Sequence, residues 1–339
     1  MVRLFALSVF SIYLLTFVFA DDDLTETSAQ PEELTVENVI QQIEHLAALA
    51  EKSRREGILS TDHTEQLFDK IASSFNDLIE LINAKNYTDT FFTLQGIDRV
   101  IIPNIRTTYT ALRLQLIYLL KTLFKNAPST ANTFIPMNII DMLLDVFEND
   151  DNLALKAHAL DVMYQWLPNN PKLQARVMKL KGLEPFYEQI AKLDSNVVQK
   201  LLDLFNIILE EHLRARNEKQ SKPNEMFKFY QMIGLVERMS TPTVCYGLLN
   251  IFKDTTTFSG NSREIFVPVA KLLKNIQPFC LNLYKGKNTA IDIFQNLHDF
   301  FKESVEKELF KDVQFNVTDI DLILTEYNEK VKEHYKDEF

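Results

Sequence analysis

Three segments of the 339-residue chain decide its fold: GIDRVIIPNI (Gly96–Ile105), IIDMLLDVFE (Ile139–Glu148) and GLEPFYEQIA (Gly182–Ala191). Each begins 43 residues after the one before it. Ile97, Ile140 and Leu183 share one register, Asp98, Asp141 and Glu184 a second, and Val100, Leu143 and Phe186 a third. The turns ahead of them keep step, with Asn83-Ala84, Asn126-Ala127 and Asn169-Asn170 at the same interval. A single amphipathic helix fits any bundle. Three registers at one spacing require a unit that stacks on copies of itself.

The grammar of the unit can be read between those segments. ALRLQLIYLLKTLFKNAPSTANTFIPMNIIDMLLDVFENDDN (Ala111–Asn152) runs as a long apolar helix, an Asn-x-Pro turn, a short helix, a medium helix and a loop. Leu153–Asn196 repeats that order. Pro128 and Pro171 follow the long helices and suit the first turn of the next one, where a missing N–H costs nothing. VVQKLLDLFNIILEEHLRAR (Val197–Arg216) opens another unit. Its Gly-Leu comes late, at Gly234-Leu235, because the charged run Arg214–Asn224 lengthens the turn. Upstream, apolar residues at Val36, Val39, Ile40, Ile43, Leu46, Leu49 and Ala50 mark one helix face, with Gly57 as its stop. Downstream, Thr241–Asp254 and Arg263–Gly286 continue as helices and Ala290–Leu309 closes the array. The reading is an all-α, armadillo/HEAT-like helical solenoid with a period near 43 residues, spanning 35–335.

Composition agrees. Hydrophobic residues make up 46%, enough for a sizeable core, while glycine numbers only 7 and proline 11. Nucleotide-binding α/β folds and β-rich folds spend more glycine than that on their turns. The net charge of −11 disfavours nucleic acid as a partner, since phosphate binding needs a concentrated basic surface.

The ends carry addresses. Residues 1–20 have a basic Arg3, an apolar run from Leu4 to Phe19 and small residues Val18 and Ala20 at a cleavage site, the three parts of a signal peptide. The run falls short of the roughly 20 residues of a membrane-spanning helix, and no span is expected after its removal. Residues 21–34 are acidic, lack aromatics and are expected to be disordered. The last four residues, 336–339, read Lys-Asp-Glu-Phe, like an ER-retention tail except that Phe339 replaces the usual Leu. Together these predict the endoplasmic reticulum lumen. There, Asn86 and Asn316 head glycosylation sequons, and Cys245 and Cys280 either pair or stay as two buried thiols.

Catalytic patterns are missing: no G-x-S-x-G, H-E-x-x-H, Walker A or C-x-x-C occurs, and the six histidines are scattered. Trp166 and Phe186 fall at core-like spacing. The expectation is a non-enzyme with no cofactor and no metal site. Helical solenoids act through the concave face lined by the long helix of each unit. The candidate lining helices are Leu112–Lys125, Leu155–Leu167 and Val198–His212. On the first, Leu112, Leu116, Leu119, Leu120 and Leu123 form the buried stripe, leaving Gln115, Tyr118, Lys121, Thr122 and Lys125 outward. The second leaves Lys156, Asp161, Tyr164 and Gln165 outward, and the third Lys200, Asp203, Asn206 and Glu210. Tyr118 and Tyr164 stand out because exposed tyrosine is favoured at interfaces.

Leu114–Ile135, Ala159–Ile190 and Val197–His212, with the run Asn169-Asn170-Pro171, Gln174 and Gly182-Leu183, carry a resemblance. In this compartment they resemble the armadillo-like nucleotide exchange factors of BiP, the Hsp70 chaperone of the ER lumen. The likeness covers roughly Leu59 to Glu306, with Ile139 standing where neighbouring units have Gly. It implies a monomer that clasps one lobe of the BiP ATPase domain in its concave face, opens the nucleotide cleft and releases ADP. The reading from another class is a lumenal or secreted armadillo scaffold for a different protein, with no exchange activity.

Overall fold

The computed structural model describes residues 34–57, 61–85, 87–180, 189–217, 225–255, 262–310 and 316–333. The proposed signal peptide, the acidic segment up to Glu33, residues 336–339, Asn86 and the third copy of the repeated segment at Leu183, Glu184 and Phe186 lie outside them.

From Val36 onward the described residues form one compact unit. It opens with α1 (Val36–Glu56) and α2 (Thr61–Lys85). The stop at Gly57 is real: its φ of 62° is a conformation that a side chain resists and glycine adopts freely. Next come α3 (Thr88–Thr93) and a π-type turn at Ile97–Ile101 that runs into α4 (Ile102–Asn104). The following unit has α5 (Thr110–Asn126), α6 (Pro128–Phe134) and α7 (Ile139–Asn149). The one after it has α8 (Leu153–Trp166), α9 (Pro171–Leu180) and a 3-10 turn at Ile190–Lys192. Then follow α10 (Ser195–Asn217), α11 (Glu225–Ile233), α12 (Leu235–Met239), α13 (Pro242–Thr255), α14 (Ser262–Tyr284) and α15 (Asn288–Glu306). The array does not close at Leu309 as expected. A further helix, α16 (Val317–Lys332), packs on α14 and α15. Its apolar Ile320, Leu324, Tyr327 and Val331 need a partner face, and α14 and α15 supply it.

The long helices α2, α5, α8, α10, α14 and α16 each pack on the next, and the other helices pack against this series. This is the all-α, armadillo/HEAT-like solenoid that the 43-residue spacing predicts. The period is visible as a contact: the Asn126 amide donates to Asn83 Oδ1 at 3.4 Å, between turns 43 residues apart. The Asn169-Asn170-Pro171 turn works residue by residue. Asn169 takes a left-handed φ of 57°, Asn170 Oδ1 accepts from Leu173 N at 3.2 Å, and Pro171 begins α9.

Apolar stripes on both layers merge into one continuous core. The predicted stripe of α5 (Leu112, Leu116, Leu119, Leu120, Leu123) is buried throughout. Trp166 is also core: it packs on Phe124 at 5.1 Å between ring centres and donates its indole N–H to Asn132 at 3.1 Å. At the far end, Tyr284, Phe294 and Tyr327 cluster, and the buried phenols donate to backbone carbonyls of Cys245 and Leu273. Cys245 on α13 and Cys280 on α14 are bridged, with Cα atoms 5.5 Å apart, and both are buried. The sequence left pairing and free thiols open; the structure has the pair.

The Ile139 departure has a packing consequence. In the earlier unit a Cβ on Gly96 would collide with the ring of buried Phe91. One period on, Ile139 brings its own side chain into the core. The matching Phe134 lies on the surface, tilted against Phe92 at 5.5 Å.

Candidate functional site

The side chains that matter lie where α5, α8 and α10 run side by side. Asp161, on α8, is the centre. It accepts from Lys121 Nζ on α5 at 2.6 Å and from Lys200 Nζ on α10. One carboxylate thus ties three successive long helices together. Its side chain is only 14% exposed. Burial alone would push this carboxyl up, but hydrogen bonds from the two ammonium groups outweigh that and its pKa is lowered.

Above this tie, the Tyr118 hydroxyl and His158 Nε2 share a hydrogen bond at 2.8 Å, with the rings 4.4 Å apart. Burial, then the nearby Lys121 charge, pushes the imidazole down, which favours its neutral form. His158 Nδ1 lies 3.6 Å from Asp161 Oδ2. A hollow of about 540 Å³ opens beside it between α8 and α10, lined in part by His158, Asp161, Tyr164, Asn196, Lys200 and Asp203. Tyr164 is half-buried on its wall. Asp203 is half-buried too, and burial raises its carboxyl, offset only in part by the charge of Lys271. Further along α10, Glu210 pairs with Lys271 of α14 at 3.0 Å.

The expected outward residues therefore divide. Tyr118, Lys121, Asp161, Tyr164, Lys200 and Asp203 gather around the tie and the hollow, with Gln165 and Lys125 exposed nearby on their helices. Three do not belong. Thr122 is buried within α5. Lys156 is 6% exposed and turns away from the α10 side: its ammonium donates to Glu148 O at 3.0 Å and Gln189 Oε1 at 3.1 Å, closing the end of α7. Asn206 is fully buried; its amide donates to Pro268 O on α14 at 2.8 Å and its oxygen accepts from Asn275. In a stacked array each long helix is covered on two flanks as well as behind. The free arc is thus narrower than a helix wheel with a single buried stripe allows.

His158 was missed as a member of the site. A signal existed: Tyr118 and His158 are 40 residues apart, Lys121 and Asp161 are 40 apart, and Asp161 and Lys200 are 39 apart. Aligning the long helices, rather than the turns, brings those pairs into register.

Asn316 is the N-cap of α16, where its Oδ1 accepts from Thr318 N at 3.1 Å. Asn316 is exposed there. No described helix is long and apolar enough to cross a membrane.

No protein-family model matches the chain, and no curated protein matches it either. Among solved structures, a designed armadillo repeat protein in complex with the peptide (KR)4 is similar, with a TM-score of 0.43 and 10% identity over 85% of this chain and 99% of that one.

Proposed function

We propose that this protein is a nucleotide exchange factor for the lumenal Hsp70 chaperone BiP, binding its ATPase domain through the long-helix face. The reading rests on the sequence likeness of Leu114–Ile135, Ala159–Ile190 and Val197–His212, together with the leader-like and retention-like ends. The observation that carries it furthest is the Lys121–Asp161–Lys200 tie, which fixes three neighbouring helices into one polar surface. Exchange needs no acid, base or metal from this chain. It needs a surface that binds the open ATPase conformation more tightly than the closed one, because a ligand shifts an equilibrium only by its differential affinity. A surface held by ion pairs between helices loses little conformational freedom on binding, which favours such discrimination.

The test is ADP release. Purified protein is mixed with BiP carrying a fluorescent ADP and followed by stopped flow. Accelerated release, with capture of BiP in ADP and loss of capture in ATP, is the expected result. Release at the intrinsic rate at saturating protein refutes the proposal and leaves the scaffold reading.

A further inference from the structure

We propose that the hollow between α8 and α10 receives a cationic side chain, an arginine or lysine, from the protein partner, with Asp203 as its counter-charge. This rests on the reading that the long-helix face binds a protein, and it names the chemistry that one point of that face selects.

The argument begins with Lys200. It stands three residues before Asp203 on α10, a spacing at which opposite charges on a helix ordinarily meet. Instead Lys200 reaches across to Asp161, which Lys121 already holds from the other side. The other cation near Asp203, Lys271, is engaged by Glu210 at 3.0 Å. Asp203 is left without a hydrogen bond or ion pair among the described residues, while still being half-buried on the wall of the hollow. A half-buried carboxylate without a partner costs folding free energy. Side chains that carry such a cost in a cleft are candidates for binding.

The rest of the wall suits a cation on an alkyl stem. Ala157, Leu160 and Val197 supply apolar surface for methylenes, and Asn196 and Gln199 are polar, uncharged residues of the lining. Tyr164, also on the wall, is an aromatic residue of the kind on which a guanidinium packs. The hollow, at about 540 Å³, has room for a long side chain. Asp161 is already held by two lysines, so Asp203 is the carboxylate of the lining that remains.

Two measurements on the purified protein test this. First, Asp203→Asn should weaken binding of the ADP-loaded BiP ATPase domain roughly 10-fold or more, the scale for losing a desolvated charge pair. The same variant should keep or raise the unfolding midpoint, because an unpaired charge has been removed. A fall in affinity without a fall in stability is the signature of a binding role; a fall in both overturns the proposal, as does an affinity within twofold of wild type. Second, N-acetyl-arginine methylamide is titrated against the protein by NMR, beside its neutral citrulline and acidic glutamate counterparts. Saturable shifts in α8 and α10 with the arginine compound, absent in Asp203→Asn, are expected. Preference for the glutamate compound, or equal shifts with citrulline, overturns it. The two proposals fail separately. If ADP release is not accelerated but the arginine compound binds through Asp203, the exchange reading falls and the hollow stands. If release is accelerated, Asp203→Asn binds normally and no arginine shift appears, the hollow falls and exchange stands.

Discussion

Removing the Cys245–Cys280 bridge should destabilise the end of the array rather than the whole of it. The bridge joins α13 to α14 across 35 residues of chain. In the chain-entropy account, a closed loop of that size restricts the unfolded state by roughly 4 kcal/mol at 25 °C. Both sulfurs are fully buried, so alanine in their place also forfeits some packing. In a solenoid each unit touches only its neighbours, so stability is close to a sum of local terms. The loss should therefore fall on α13–α16, which pack on one another, and leave α1 and α2 nearly untouched. The assay is hydrogen exchange with mass spectrometry on Cys245→Ala/Cys280→Ala beside the oxidised wild type, with urea unfolding in parallel. Exchange in α13–α16 should quicken by about two to three orders of magnitude, following from a loss near 4 kcal/mol, while α1 and α2 keep their protection. A total loss below about 1 kcal/mol, or equal deprotection at both ends, would refute the reasoning.

Acid should weaken the molecule through His212. Burial lowers its pKa from 6.5 to about 4, and its Nε2 is hydrogen-bonded to Gln174 at 3.0 Å. Between those values the unfolded chain binds the extra proton, so stability falls as pH drops through the window and returns as pH rises, by on the order of 3 kcal/mol. Thermal melts from pH 7 to 4.5 should show this drop, and His212→Gln should flatten it; an unchanged slope in the variant removes His212 from the account. Gly96→Ala should cost about 1–3 kcal/mol by forcing the Phe91 ring aside, read by urea unfolding, and a neutral result would mean that the ring yields freely. Deleting Lys336–Phe339 should raise secretion from cells, measured by immunoblot of the medium, and unchanged secretion means that the tail is no retention signal.

The period, the helical class and the apolar stripes were legible in the sequence. They depend on interactions within a helix or between adjacent copies of one unit, and a spacing of 43 residues records both. Gly57, Pro171 and Asn169-Asn170 were equally legible, because a left-handed turn or a helix start is decided by the residue that makes it. The choice between a bridge and two thiols was not, since it turns on how α13 lies against α14.

The site was half legible. Asp161, Lys121 and Tyr118 could be placed on the free side of their helices, but nothing in the pattern says that Lys200 abandons Asp203 for Asp161. That outcome follows from distances between helices 39 residues apart in the chain. Lys156 and Asn206 show the same limit from the other side. A helix wheel gives each its angle, and only the neighbouring helices decide whether that angle meets solvent, a helix end at Glu148 or the backbone of Pro268. Local chemistry and repetition determined the kind of structure. Packing between units decided which charges were cancelled and which, like Asp203, have no hydrogen bond or ion pair among the described residues.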